Sequence, residues 1–80
     1  MRQIEPFDVV ALVTGDGARH LPAGAEGTVL EILRDGALEV EFSDDEGRTL
    51  HVGHYEAADL QVVWSARTRA FVSEPRLITT

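Results

Sequence analysis

The tripeptide Arg34-Asp35-Gly36 sits between two apolar runs, Gly27–Leu33 and Ala37–Phe42. An Asp-Gly step between such runs is one of the clearest hairpin signals, because its turn needs backbone angles that Gly and Asp tolerate. The second run alternates. Leu38, Val40 and Phe42 point one way, and Glu39 and Glu41 point the other. That period defines a half-buried antiparallel strand with a charged outer face. Whatever else the chain does, it must cover the Leu38–Val40–Phe42 side with further strands.

The remaining segments supply them. Asp8–Val13 is a β-branched apolar run that stops at the turn cluster Thr14-Gly15-Asp16-Gly17. Residues 14–26 form a long loop in which Pro22 lacks a ladder donor. After the acidic turn Ser43–Gly47, a fourth strand runs from about Arg48 to Val52, with Leu50 and Val52 expected to face the core. His54–Asp59 suits a single helical or 3₁₀ turn, and Leu60–Trp64 is a fifth strand. Short strands, tight turns, a long first loop and one helical turn before the last strand predict an all-β fold. The expected form is a small five-stranded SH3-like barrel over residues 1–64. Closure would also remove the exposed edges of an open sheet. Residues 65–80 are a C-terminal extension. In it, Thr68–Val72 could add a sixth strand, paired within the chain or with a second copy, and Pro75 would end that strand.

Eighty residues make one small domain. A chain of this size buries only about 60% of its unfolded surface, so its stability margin is thin. The absence of Cys excludes disulfides and Cys-ligated zinc, and leans toward a reducing compartment. Met1–Pro6 has no apolar stretch of signal length, and no run is long enough to span a bilayer, so the cytoplasm is expected. Seven Arg and no Lys stand against fourteen acids, a net charge of −7. Nucleic acid and anionic membrane are therefore disfavoured partners, since both are held by Lys and Arg clusters. A basic protein surface is favoured. The charge is unevenly spread. Residues 1–63 carry thirteen of the acids against four Arg, whereas residues 64–80 carry three Arg against Glu74 alone. The tail is expected to fold back on the acidic body.

Candidate chemistry is sparse. His51 and His54 are three apart, which on a strand separates them, unless a bend at Gly53 brings them together; His20 lies in the first loop. A metal site needs convergence, so no metal is expected. Asp44, Asp45 and Glu46 lack the ligand order of a calcium loop. Glu31, Glu39 and Glu41 lie on adjacent strands, but acid–base work needs a pocket that shifts their pKa values, and a small barrel offers little room. Ser43, Ser65 and Ser73 have no nucleophile elbow, and Gly15-Asp16-Gly17 has no following Lys or helix. No enzyme activity, catalytic residue or cofactor is expected. Tyr55, Trp64 and Phe71 suit a binding surface near a loop-lined end. The simpler role for Trp64 is to close the barrel or anchor the tail.

The ordered motifs are Asp8-Val9-Val10, Leu21-Pro22-Ala23-Gly24 with Gly27-Thr28-Val29 and Ile32, Asp35-Gly36-Ala37 with Glu39-Val40-Glu41-Phe42, and Asp44 with Gly47-Arg48-Thr49. Together, over about residues 4–63, they resemble a family of short, uncharacterised bacterial proteins defined only as a domain of unknown function. Gly24–Ile32 is also similar to the turn and strand of KOW-type and nitrile hydratase β-type SH3-like barrels. The resemblance implies a barrel and a protein partner encoded nearby, as in toxin–antitoxin-like pairs, and carries no catalytic residues. The expected function is a non-catalytic protein-interaction module, antitoxin- or immunity-like or an accessory partner. Its expected partner-binding residues are Glu31, Glu39, Glu41, Asp44, Asp45, Trp64 and Phe71. The alternatives are a KOW-like RNA- or ribosome-associated element and an accessory subunit of a nitrile hydratase-like metalloenzyme. A homodimer, compatible with all of these, is expected over a monomer, since a small domain gains stability by burying its tail against a second copy.

Overall fold

The computed structural model describes residues 3–72, and apart from two 3₁₀ turns all its regular structure is antiparallel β. The strands are β1 (Val9–Leu12), β2 (Glu26–Ile32), β3 (Leu38–Ser43), β4 (Thr49–Tyr55), β5 (Leu60–Ser65) and β6 (Ala70–Phe71). The 3₁₀ turns are Gly17–Arg19 and Ala57–Asp59. The six strands form one sheet in the order β4-β3-β2-β1-β5-β6. The all-β expectation holds. The sheet has six strands rather than five, because the C-terminal extension contributes β6 by pairing with β5 inside the chain. Residues 73–80, including Ser73 and Pro75, lie outside the described residues.

The hairpin forms where the sequence places it. Asp35 Oδ1 accepts the Ala37 N–H at 2.9 Å, Gly36 takes φ 92°, and β2 pairs with β3 on either side. Apolar alternation then builds the core from Val10, Leu12, Leu21, Val29, Leu38, Val40, Phe42, Leu60 and Val62, all buried. Val40 on β3 and Val62 on β5 share this one cluster although β2 and β1 lie between their strands, so the sheet curls around it. Gly27 is a necessity of that curl. A Cβ there would lie 2.8 Å from the Glu41 carbonyl oxygen and 2.9 Å from Cδ2 of Phe42.

The fourth strand departs from expectation. It continues to Tyr55 because β3 offers ladder partners all the way, with Gly53, His54 and Tyr55 opposite Val40, Glu39 and Leu38. The 3₁₀ turn is accordingly shorter, Ala57–Asp59, with Asp59 Oδ2 accepting the Glu56 N–H at 3.0 Å. Leu50 and Val52 do not face the core; they are 59% and 42% exposed. The register shifts between Phe42 and Ser43, which pair with His51 and Thr49 and leave Leu50 without a partner. A one-residue slip exchanges the faces of a strand. His51, Gly53 and Tyr55 therefore lie on the core side and Val52 on the outside.

Asp8 ties the ends together. Its buried carboxylate accepts the Glu5 N–H at 2.9 Å through Oδ2 and the Ala66 N–H at 2.8 Å through Oδ1. The Val72 N–H donates to the Val63 carbonyl at 2.9 Å, and Arg67 Nε lies 3.6 Å from Glu5. The first part of the basic extension thus lies against the body.

Candidate interaction surface

Residues directly opposite each other in an antiparallel ladder share a face. Following the register across the sheet gives one outer row: Val52 opposite Glu41, Glu41 opposite Thr28, Thr28 opposite Val9, Val9 opposite Trp64, and Trp64 opposite Phe71. A second pairing on the same face sets Glu31 against Glu39 and Glu39 against His54. Five of the seven expected partner-binding residues, Glu31, Glu39, Glu41, Trp64 and Phe71, are therefore brought onto one face. Its β2–β3 half is acidic and its β5–β6 end is aromatic. Trp64 is half-buried within the ladder, whereas Phe71 is 82% exposed on a strand of only two residues. The Thr49 hydroxyl donates to Glu41 and fixes that carboxylate at the β4 side.

Asp44 and Asp45 lie in the β3–β4 turn. Asp44 serves the turn itself: Oδ1 accepts the N–H groups of Glu46 and Arg48, each at 2.9 Å, and Oδ2 lies 3.0 Å from Arg48 Nε. The backbone hydrogen bond from Arg48, helped by that from Glu46, holds the Asp44 carboxyl below its ordinary range. Arg48 Nη2 also reaches Glu46 at 2.8 Å, so much of the turn's charge is matched locally. Asp45 is exposed.

The inner side of β4 carries a cluster that sequence reasoning missed. Phe42 meets the Tyr55 ring edge-on at 5.6 Å and the His51 ring stacked at 6.4 Å. The Tyr55 hydroxyl donates to Asp16 Oδ2 at 2.8 Å, and Arg19 Nε lies 3.9 Å from the same oxygen. The cluster latches the first loop onto β4. The only sequence signal was Asp16 itself, an acid inside a Gly-rich turn. The Tyr55 bond, aided by Arg19 and His51, lowers the Asp16 carboxyl, while burial and the bond to Asp16 push the Tyr55 hydroxyl up to about 12.

Tyr55 is the sole tyrosine, so an ultraviolet titration reads it directly. The folded protein is expected to ionise near pH 12, and Asp16→Asn to move the midpoint down toward the ordinary value of 10. The unfolded chain loses this proton first, so the Tyr55 contribution is full at neutral pH and lost between 10 and about 12, while the Asp16 contribution is lost in acid as its lowered carboxyl protonates. A midpoint near 10 in the wild type would contradict the latch.

An apolar cavity of about 740 Å³ opens elsewhere, lined in part by Ile4, Ile32, Leu38, Leu60, Val62 and Val72. His51 pairs opposite Phe42 on the inner face and His54 opposite Glu39 on the outer face, so Gly53 does not bring them together. Among the described residues no group of three or more His, Asp or Glu is placed to hold a metal ion. No helix among them is long and apolar enough to cross a membrane.

A single curled antiparallel sheet, with one acidic and aromatic outer face, defines the chain as a small all-β domain. More particularly, it belongs to the family described as Domain of unknown function (DUF4926), whose family model matches residues 6–62. No curated protein and no solved structure matches it significantly.

Proposed function

We propose that the domain is a non-catalytic protein-interaction module whose outer sheet face docks on a basic protein partner. The carrying observation is the register that places Glu31, Glu39 and Glu41 on the same face as Trp64 and Phe71. Acidic residues steer a basic partner into encounter, and aromatic anchors then supply burial energy. An antitoxin- or immunity-like domain that blocks a neighbouring gene product in the cytoplasm would use a face of this kind. We read the architecture as SH3-like. Support comes from the β1–β4 meander, the long first loop, the 3₁₀ turn before β5, and the return of β5 to β1.

The test is affinity capture from native host lysate treated with nuclease. The wild-type domain is expected to recover one protein partner whose retention falls as salt rises. The E31K/E39K/E41K variant is expected to associate with that partner about tenfold more slowly or worse, because steering is lost. Equal capture by the two proteins would refute the reading, as would a partner that disappears with nuclease.

A further inference from the structure

The two ends of the sheet differ. β6 has two residues, whereas β4 has seven, and among the described residues no backbone group of β4 bonds to anything but β3. Edge strands are commonly protected by shortness, Pro, Lys or a bulge. β4 has neither Pro nor Lys, and its register shift lies at its beginning, so His51–Tyr55 pairs regularly with β3 and leaves an outer edge unpaired among the described residues. Val52 is 42% exposed on the outer face beside that edge, while the His51 ring lies over Gly53 on the inner face.

We infer that β4 is a strand-addition site and that its occupant is an extended basic segment of the partner protein. This rests on the acidic-face reading above and names how that face is engaged. A seventh strand on β4 would complete the edge ladder with main-chain hydrogen bonds, and every second side chain would fall on the outer face. Those side chains would stand two strand spacings, about 10 Å, from Glu39 and Glu41 on β3. Paired Arg and Glu side chains span that gap, so Arg or Lys at alternate positions matches the charge. A second copy of this chain matches poorly, because it brings a net charge of −7 to an already acidic face.

The probe is a short peptide of alternating Arg and Val, matched in length to β4, titrated into the isotope-labelled protein. A control peptide of the same sequence is N-methylated at alternate residues, which keeps its charge and removes its ladder donors. The unmodified peptide is expected to shift and protect the amides of His51–Tyr55. It is also expected to bind at least about tenfold more tightly than the control, the value of a few lost backbone hydrogen bonds. E39Q/E41Q is expected to weaken both peptides. If the two peptides bind equally but depend on Glu39 and Glu41, strand addition is overturned while the acidic face stands. If the unmodified peptide binds at β4 regardless of those carboxylates, the basic occupant is overturned. Concentration-dependent shifts on β4 without peptide would mean that a second copy takes the edge, which also overturns the proposal. If neither peptide binds, strand addition fails, and the lysate capture still judges the face independently.

Discussion

Phe42→Ala is expected to remove a large part of the domain's stability. Phe42 is 1% exposed, the largest side chain in the core, and packs against the rings of His51 and Tyr55. Truncating such a residue costs about 3–5 kcal/mol in lost burial and a residual cavity. An 80-residue domain has roughly 4–12 kcal/mol in all. The loss therefore takes from about a quarter of that margin to all of it, and it also frees the Tyr55 ring that holds Asp16. Phe42→Leu, which keeps most of the volume, is expected to cost about 1–2 kcal/mol. Urea unfolding followed by circular dichroism separates these cases. A Phe42→Ala protein as stable as wild type would mean the core lies elsewhere.

Asp8→Ala is expected to destabilise by about 2–4 kcal/mol, since it strands two N–H donors that the carboxylate now satisfies. Asp8 is 2% exposed, and its partners Glu5 and Ala66 lie on opposite ends of the chain. The effect is expected to be partly local. Amide exchange at Ala66 should accelerate beyond what the global loss explains, because the turn between β5 and β6 is released. Asp8→Asn keeps one acceptor oxygen and should cost less than Asp8→Ala. Unchanged exchange at Ala66 in Asp8→Ala would show that the turn is held without it.

The parts of the fold that could be read from sequence are those set by near neighbours. Asp35-Gly36 and the period of Leu38–Phe42 fix a hairpin within a few residues, and they also assign Glu39 and Glu41 to the outside. The faces of β4 were not legible, because they depend on where one unpaired residue, Leu50, is accommodated opposite β3. Hydrophobicity pointed Leu50 and Val52 inward; the register placed His51, Gly53 and Tyr55 there instead. The candidate surface divides in the same way. Glu39 and Glu41 follow from alternation along β3; Glu31 does not, because alternation would put it on the side of Val29, and only the register shift between Val29 and Glu31 sets it opposite Glu39. That Trp64 and Phe71 share their face depends on Val9 bridging β2 and β5, a pairing between distant segments. The Asp16–Tyr55 latch spans 39 positions and the Asp8–Ala66 bond spans 58, beyond any local pattern.

Docking of a protein partner on the outer sheet face, as proposed above, is directly measurable. An amide-shift map of the isotope-labelled domain, titrated with the captured partner at two salt concentrations, tests it most directly. The largest shifts are expected on Thr28, Glu31, Glu39, Glu41, Val52, Trp64 and Phe71, with affinity weakening as salt rises. Shifts confined to the Asp16–Tyr55 latch or to the cavity around Leu38 and Leu60, with no salt dependence, would contradict it.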